Sequence, residues 1–540
     1  LAYPDLYRGT WTLPIVFSPR DPKVLYFSYQ RLFRTADGGE HWTAISPDLT
    51  REAPGVPPNL DPPTAADRPG EGSRFGVIYT IAPSRTADHD LWVGTDDGLI
   101  WRTRDEGAHW DDVTPAGLSP WSKVGILDAS HFDPETAYAA VDRHRLDDFK
   151  PYVYRTHDGG KHWDLIASGI PDGVFVNAVR EDSVRKGLLY AGTERGVYVS
   201  FDDGDHWQPL QLNLPVTSVR DLDVHGEDLV IATHGRAFWM LDGLAPLRQL
   251  DAQVEGATAW LFKPAGAVRF RPAGFTGSPM PRDEAMAANP APGAYIDYVL
   301  KGAAKQVTLE IRDEKGELVR RYSSADAAPK ADLAKLRTAP EWEQPPSVLS
   351  TAPGMHRFVW PLRYAALDAK NVYEDGVWAP PGRYTAVLDV DGTRLTQPLT
   401  MTPDPRLSLP AEAYARQCEL ARRIEAAQAR VSRATDEKDD LLKALPERRK
   451  GASPEVAKAI DALQKRVEDL AGGAAFWQVP KSLITLRAMK DALDQLAKAA
   501  DGADAAPSPD TVTGFEKIQA PLGTTLAAWE ELKRKDLAAV

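Results

Sequence analysis

Short segments in which apolar and polar residues alternate recur along the first half of the chain. Two strands joined by a tight turn are predicted by each of three segments, VLYFSYQRLFRT (24–35), DLWVGTDDGLIWRT (90–103) and LLYAGTERGVYVSF (188–201). A further apolar segment precedes each pair, and a short strand follows it, as in HWTAIS and HWQPL. Each unit therefore predicts four short antiparallel strands, which is the content of one β-propeller blade.

A nine-residue box occurs four times in this half of the chain, in the three units above and in a fourth unit between the second and third of them. Its copies are RTADGGEHW (34–42), RTRDEGAHW (102–110), RTHDGGKHW (155–163) and VSFDDGDHW (199–207). The shared aspartates and tryptophans are Asp37, Trp42, Asp105, Trp110, Asp158, Trp163, Asp202 and Trp207. Asp accepts backbone N–H bonds across a tight turn, Gly permits positive φ, and Trp buries a large ring between sheets. Because an active site occurs once per domain, this repetition predicts a structural role for the box.

The spacing of the units predicts five blades over 1–250, as part of a larger propeller. About 44 residues is a usual blade length, so the longer spacings predict a surface loop at 51–73 and an insertion at 142–151. A fifth unit, DLVIATHGRAFWMLDG (228–243), has the strands without the box.

The pattern changes after residue 256. Two alternating segments, QVTLEIRDEKGELVRRY (306–322) and RYTAVLDVDGTRLTQPLTM (383–401), predict an immunoglobulin-like β-sandwich over 256–405. Apolar residues then recur every three or four positions, which predicts helices at about 410–445, 454–472, 486–501 and 510–535. The predicted fold is therefore mainly β, ending in an antiparallel four-helix bundle over 408–540. A coiled coil with a partner is the alternative for these helices.

Composition excludes several classes of protein. The net charge of −13 argues against a nucleic-acid binder, and no apolar run reaches the ~20 residues of a membrane-spanning helix. The sequence has no dinucleotide, phosphate-loop or zinc-protease fingerprint, so it predicts neither a cofactor nor a metal site. Cys418 is the only cysteine, and this scarcity fits a secreted or periplasmic protein.

Three stretches carry a family resemblance: AVDRHRLDDFKPYVYRT (140–156), GLLYAGTERGVYVSFDDGDHW (187–207) and VIATHGRAFWMLDGLAPLRQL (230–250). With the boxes, they resemble bacterial exported proteins with Asp-box (bacterial neuraminidase) repeats, a sortilin-like β-propeller group commonly described as glycosyl hydrolases. The resemblance implies that each box joins the third and fourth strands of a blade, away from the ligand. It also implies that the chain is the C-terminal half of a longer protein. The missing blades would then come from an N-terminal segment or a second chain.

The turns between second and third strands carry more charge than turns need. From these we predict a ligand face of Arg143, His144, Arg145, Asp147, Asp148, Glu194, Arg195, His234 and Arg236. Further charged residues expected at the same face are Arg31, Arg74, Asp96, Asp97, Lys123, Lys150 and Arg220.

Three interpretations of this face stay open. It binds a glycan or a peptide through charge-assisted hydrogen bonds, or its Asp and Glu residues act as acid and base of a glycoside hydrolase. In the third interpretation Arg143, Arg145, Asp147 and Asp148 pair with one another and brace the insertion. The three arginines and Tyr–Glu pair of sialidases cannot be assembled from the sequence, nor can the catalytic aspartates of xyloglucanases. Enzymatic activity is therefore left undecided.

Overall fold

The computed structural model describes residues 7–55, 76–271, 289–328, 346–472, 484–535 and 537. The chain is mainly β with a helical region at its C-terminal end, and it divides into two compact units, Leu1–Arg248 and Gln249–Val540. The predicted division at 1–250, 256–405 and 408–540 stays a prediction. Most of the predicted surface loop at 51–73, and Arg74, lie outside the described residues.

Unit 1 contains five consecutive antiparallel sheets, numbered 1 to 5 in chain order, in which each strand pairs with the next one in sequence. Sheet 1 contains β1 (Ile15–Phe17), β2 (Leu25–Ser28), β3 (Leu32–Thr35) and β4 (Thr43–Ala44). Sheet 2 contains β5 (Ile78–Pro83), β6 (Leu91–Thr95), β7 (Ile100–Thr103) and β8 (Asp111–Asp112). Sheet 3 contains β9 (Lys123–Ala129), β10 (Ala137–Asp142), β11 (Val153–Thr156) and β12 (Asp164–Leu165). Sheet 4 contains β13 (Val176–Glu181), β14 (Leu189–Thr193), β15 (Gly196–Ser200) and β16 (Gln208–Pro209), and sheet 5 contains β17 (Val219–His225), β18 (Asp228–Thr233) and β19 (Phe238–Asp242).

Consecutive sheets of unit 1 contact one another through their first strands. β1 contacts β5, β5 contacts β9, β9 contacts β13, and β13 contacts β17. Apolar clusters fill the spaces between neighbouring sheets, for example Tyr138, Val153, Val179 and Leu189 between sheets 3 and 4. Sheets 1 to 4 have the four strands that the sequence predicts, whereas the described part of sheet 5 has three.

Strand direction separates two ends of unit 1. Because consecutive strands are antiparallel, the turn after the second strand and the turn after the third strand lie at opposite ends of a sheet. All four boxes occupy the turn after the third strand, and we call that end the box end. The insertion at 142–151 occupies the turn after the second strand of sheet 3, where His144–Leu146 form a single 3-10 turn. We call the opposite end, with the turns of sheets 3 to 5 at residues 143–152, 194–195 and 234–237, the rim.

Two short helices follow β19 in the chain, α1 (Ala245–Gln249) and α2 (Ala252–Gly256). Ten strands of unit 2 come next, namely β20 (Ala259–Leu261), β21 (Ala267–Arg269), β22 (Ala294–Leu300), β23 (Val307–Asp313), β24 (Leu318–Ser323), β25 (Gly354–Trp360), β26 (Arg363–Ala365), β27 (Asp375–Trp378), β28 (Gly382–Val390) and β29 (Thr393–Pro403). They form a three-stranded sheet (β20-β22-β25), a five-stranded sheet (β21-β29-β28-β23-β24) and the pair β26-β27. Ile296 and Tyr298 of the three-stranded sheet share one core with Leu309 and Leu388 of the five-stranded sheet.

Four longer helices end the chain, α3 (Ala411–Lys450), α4 (Pro454–Ala471), α5 (Leu486–Asp501) and α6 (Pro509–Lys535), and they contact one another. The Ser453 side chain accepts the N–H of Val456 at the start of α4, and Gly472 ends that helix at φ 92°. α3 ends at Lys450, whereas the sequence predicts an end at about 445. Pro446 lies inside the helix and removes one backbone donor without stopping it. No helix among the described residues has the length and apolar content needed to cross a membrane.

Candidate functional site

Each box closes on its own aspartate. In all four copies one carboxylate oxygen accepts the backbone N–H of the histidine four residues later, at 2.9–3.0 Å. The other oxygen lies 2.6–2.7 Å from Nδ1 of the same histidine. These backbone and side-chain bonds from His109 and His162 lower the pKa of Asp105 and of Asp158 to about 2. The box carboxylates are therefore ionised and already bonded within their own turns.

The box tryptophans of sheets 2, 3 and 4 also tie their sheets to the sheet before them. Nε1 of Trp110 donates to the Ile45 carbonyl at 3.1 Å. The same bond joins Trp163 to the Val113 carbonyl at 2.7 Å, and Trp207 to the Ile166 carbonyl at 2.6 Å. In every case the acceptor is the residue directly after the fourth strand of the preceding sheet.

The arginine that begins the first three boxes ties its sheet to the next one, a role that the sequence analysis missed. Arg34 pairs with Glu106 of sheet 2 at 2.7 Å, and Arg155 pairs with Asp203 of sheet 4 at 3.2 Å. Arg102 is fully buried and binds Glu135, at the start of the next hairpin, at 2.9 Å. The fourth box has Val199 at this position and faces sheet 5, which has no box. That difference was the available signal in the sequence.

At the rim, the insertion of sheet 3 is held by its own ion pair. Nε of Arg143 donates to Asp148 at 3.0 Å, and a terminal nitrogen of Arg143 donates to the Ser122 hydroxyl at 3.0 Å. The Tyr152 hydroxyl donates to the same Asp148 carboxylate at 2.7 Å. The sequence suggests that the two arginines and two aspartates of this segment pair with one another. The ion pair between Arg143 and Asp148 forms, whereas Arg145 lies 3.8 Å from Asp96 of sheet 2.

Direct contacts connect the turns of sheets 3, 4 and 5. The His144 ring is bonded to Asp142 at 2.6 Å and stacks on Phe175, with ring centroids 5.2 Å apart. The carbonyl of Phe175 accepts the Glu194 N–H at 3.0 Å. The Glu194 carboxylate in turn accepts the Ser218 hydroxyl at 2.7 Å, and the Ser218 carbonyl accepts the His234 N–H at 2.8 Å. The structure thus brings the predicted positions of three sheets together along one rim.

A second group of rim residues has ionisable side chains that no other described side chain pairs with. The side chains of Asp147, Lys150, Arg195, His234 and Arg236 are exposed and form no ion pair or side-chain hydrogen bond within the described part of the chain. Three of these five are permanent cations, and one is an anion.

Asp96, in the turn of sheet 2, differs from the box aspartates. It is buried beneath Val77, whose N–H it accepts at 2.8 Å, and burial raises its pKa to about 6. Neighbouring Asp97 adds to that rise, while Arg145 and Lys123 oppose it. Asp96 therefore keeps its proton to a higher pH than the box aspartates do.

A groove of about 430 Å³ opens beside the rim, and first strands of all five sheets line it. Two of its cationic side chains also contact the carboxylates next to the turns. Lys123 lies 3.5 Å from Asp142, and Arg220 lies 3.7 Å from Glu194. The rim and the groove are therefore one continuous surface.

No protein-family model and no curated protein matches the chain. Among solved structures, an ancestral GH74 enzyme is 14% identical with a TM-score of 0.33, and the match covers 59% of this chain and 38% of that enzyme. The GH74 xyloglucanase from Xanthomonas campestris is 15% identical with a TM-score of 0.31, covering 73% of this chain and 80% of that one. YCF48 from Cyanidioschyzon merolae is 18% identical with a TM-score of 0.27, covering 43% of this chain and 72% of that one. The chain spans 38% of the length of the ancestral enzyme. At these TM-scores the architecture rests on the strand pairing and contacts described above.

Proposed function

We propose that unit 1 is a recognition module that binds a carboxylate-bearing ligand, an acidic glycan or a peptide, along the rim. One observation carries this proposal: Lys150, Arg195 and Arg236 gather at the rim as exposed cations with no acidic partner in the described chain. A free guanidinium presents N–H donors in a planar fork that matches the two oxygens of a carboxylate. The rim therefore suits an anionic ligand better than a neutral one.

The paired residues of the predicted face frame this site. Three hydrogen-bonded pairs hold the rim turns in place, namely Arg143 with Asp148, His144 with Asp142, and Glu194 with Ser218. Arg145, Asp147 and His234 lie in the same turns and complete the set that faces the ligand. The groove beside the rim receives the body of the ligand, and its Lys123 and Arg220 add positive charge.

Binding measurements with matched ligands test this proposal. We expect an oligosaccharide containing uronic acids, or a peptide with a free C-terminal carboxylate, to bind more tightly than its neutral or amidated counterpart. The two arms separate the glycan source of the carboxylate from the peptide source. Equal binding of charged and neutral members in both arms would contradict the proposal.

A glycoside hydrolase is the second candidate, and Asp96 is the observation that favours it. A general acid needs a carboxyl pKa above the ordinary value, and burial raises the pKa of Asp96 to about 6. If the protein is an enzyme, a bound oligosaccharide is cleaved by the native chain and not by Asp96→Asn. Binding without cleavage leaves recognition as the function.

The finer assignments belong to the same proposal. Unit 1 is part of a β-propeller of the exported Asp-box family, residues 256–405 form an immunoglobulin-like sandwich, and 408–540 form a four-helix bundle. Four repeats of the box and the contacts among the first strands support the propeller. The protein is secreted or periplasmic, and fractionation of the producing cells, with cytoplasmic recovery as the contrary result, tests that location.

A further inference from the structure

Asp96 lies where the turn of sheet 2 meets the insertion of sheet 3. Its backbone N–H donates to the Val77 carbonyl at 3.0 Å, and its Oδ1 accepts the Val77 N–H at 2.8 Å. These two bonds to one residue hold the Asp96 side chain in a fixed position. The other carboxylate oxygen, Oδ2, faces the guanidinium of Arg145. Oδ2 is therefore the oxygen of Asp96 that a cation or a proton can reach.

The contact between Arg145 and Asp96 is an ion pair without a hydrogen bond. A terminal nitrogen of Arg145 lies 3.8 Å from Oδ2, beyond hydrogen-bond distance, and the Arg145 side chain is 40% exposed. In the same insertion, Arg143 instead donates to Asp148 at 3.0 Å. The Arg145 side chain forms no hydrogen bond within the described part of the chain. A partly exposed pair of this kind contributes little free energy, so a competing carboxylate can take the place of Asp96.

The charged groups that face Asp96 come from three elements. Asp97 is the next residue of its own turn, Arg145 belongs to the insertion, and Lys123 begins β9. Burial raises the pKa of Asp96 to about 6, with a contribution from Asp97, whereas Arg145 and Lys123 oppose the rise. Arg145 lies at the rim and Lys123 lines the groove, so the charge of Asp96 acts on both parts of the proposed ligand surface.

The neighbouring carboxyl of Asp97 is bonded differently. Its two oxygens accept the Thr95 hydroxyl at 2.5 Å and the Arg51 backbone N–H at 2.8 Å. Oδ2 of Asp96 accepts no hydrogen bond from the residues that the structure describes. Of the two carboxyl groups, Asp96 is therefore the one with an oxygen available to take up a proton.

We propose that Asp96 couples ligand binding at the rim to the uptake of one proton, an inference that rests on the proposed function. The carboxylate of the ligand replaces the Asp96 carboxylate as the partner of Arg145, and Oδ2 of Asp96 takes a proton from solution. The 3-10 turn that carries Arg145 is held by the bond from Arg143 to Asp148, so only the Arg145 side chain moves. Because such coupling is reciprocal, a protonated Asp96 strengthens ligand binding as much as the ligand favours the proton.

The direction of the pH effect follows from these charges. At pH 5 Asp96 is mostly protonated, and Arg145 is available to a ligand whose carboxyl group, with an ordinary pKa of about 3.5, is still ionised. At pH 7.5 Asp96 is mostly ionised and competes with the ligand for Arg145. We therefore expect Asp96 to make the affinity for a carboxylate ligand about three- to tenfold higher at pH 5 than at pH 7.5.

Titration calorimetry of the native chain and two aspartate variants tests the coupling. The probes are an oligogalacturonate and an N-acetylated peptide with a free C-terminal carboxylate, each at pH 5 and pH 7.5. Asp96→Asn keeps the acceptor for the Val77 N–H and takes up no proton, so we expect its ratio of affinities at the two pH values to be about three- to tenfold smaller than the native ratio. The matched variant Asp147→Asn removes the exposed, unpaired carboxyl of the same insertion, and we expect it to keep the native ratio. The rim histidines, His144 and His234, are present in all three proteins and affect each ratio alike.

Proton uptake is measured in the same experiment by repeating the titration at pH 6.5 in two buffers of different ionisation enthalpy. We expect the native chain and Asp147→Asn to take up more protons on binding than Asp96→Asn does. The same proton uptake and pH ratio in the native chain and Asp96→Asn would overturn the coupling, even where the charged probes bind more tightly than a methyl-esterified oligogalacturonate or an amidated peptide. A ratio that shrinks equally in Asp147→Asn would also overturn it, since the effect would then come from total charge and not from the contact with Arg145. Equal binding of charged and neutral probes would instead contradict the proposed function itself, so the two failures are distinguishable.

Discussion

The box end and the rim of unit 1 are built by the same sheets, yet their charged groups are arranged in opposite ways. At the box end each aspartate is bonded within its turn, and the arginines Arg34, Arg102 and Arg155 pair with carboxylates beyond their own box. At the rim, Arg195 and Arg236 have no acidic partner in the described chain. Two single carboxyl groups also differ: bonds within the box lower the pKa of Asp158 to about 2, whereas burial raises the pKa of Asp96, in the turn after the second strand of sheet 2, to about 6.

This difference in how charged groups are paired indicates which end of unit 1 stabilises the fold and which end is available to a ligand. The contacts that recur from repeat to repeat either close a box turn or hold neighbouring sheets together, so the groups that make them are already bonded within the described chain. The rim does not repeat, so its residues are free to differ from sheet to sheet and to fit one ligand. The histidine and charge of the box motif are therefore a poor guide to function, and the irregular turns are the better one.

The largest effect is expected at the box end, for Arg102→Met. This change leaves the carboxylate of Asp90, which is 4% exposed and bonded to Arg102 at 2.6 Å, without its partner. Stranding a buried charge costs about 3–5 kcal/mol, so the free energy of unfolding in urea is expected to fall by that amount. The matched variant at the rim, Arg195→Met, is expected to change it by less than about 0.5 kcal/mol. Similar losses in both variants would erase the contrast between the two ends.

A smaller effect is expected for Asp96→Asn, and it depends on pH. Because the folded-state pKa of Asp96 lies above its ordinary value, the stability that its proton contributes is present below about pH 4 and is lost as the pH rises through about 6. Asparagine keeps the acceptor for the Val77 N–H and does not ionise. We expect the variant to match the native chain at pH 4 and to exceed it by about 1–3 kcal/mol at pH 7.5 in urea unfolding. A difference that does not vary with pH would contradict the burial of this carboxyl.

The smallest effect is expected for Asp158→Ala at the box end. The variant loses the acceptor for the His162 N–H, and calorimetry is expected to show a melting temperature lower by about 2–4 °C. The pKa of Asp158 is lowered in the folded state, so the difference from the native chain should shrink as the pH falls from 4 towards 2. Ligand affinity should stay the same. A selective loss of binding with an unchanged melting temperature would assign the box a functional role.

What the sequence could predict depended on how far apart the interacting residues lie. The bond from His162 to Asp158 in the box spans four residues, and the capping residues of α4 directly flank that helix. Local sequence patterns were therefore sufficient to predict both features. Arg102 and Glu135 are 33 residues apart and meet only when two sheets pack, so no local pattern indicated their pair. The proton affinity of Asp96 likewise arises from burial in the folded chain. At the rim, the charged positions could be read from the sequence, but which of them remain unpaired depends on the fold.

The measurement that tests the central claim most directly is the affinity of the carboxylate ligand for two variants of equal charge change. Arg195→Gln with Arg236→Gln removes two of the three unpaired rim cations, and Lys161→Gln with Arg34→Gln removes two cations at the box end. A charge-assisted hydrogen bond contributes about 1.5–3 kcal/mol, so titration calorimetry is expected to show at least about tenfold weaker binding in the rim variant and native binding in the box variant. Equal affinity of the two variants would contradict recognition at the rim.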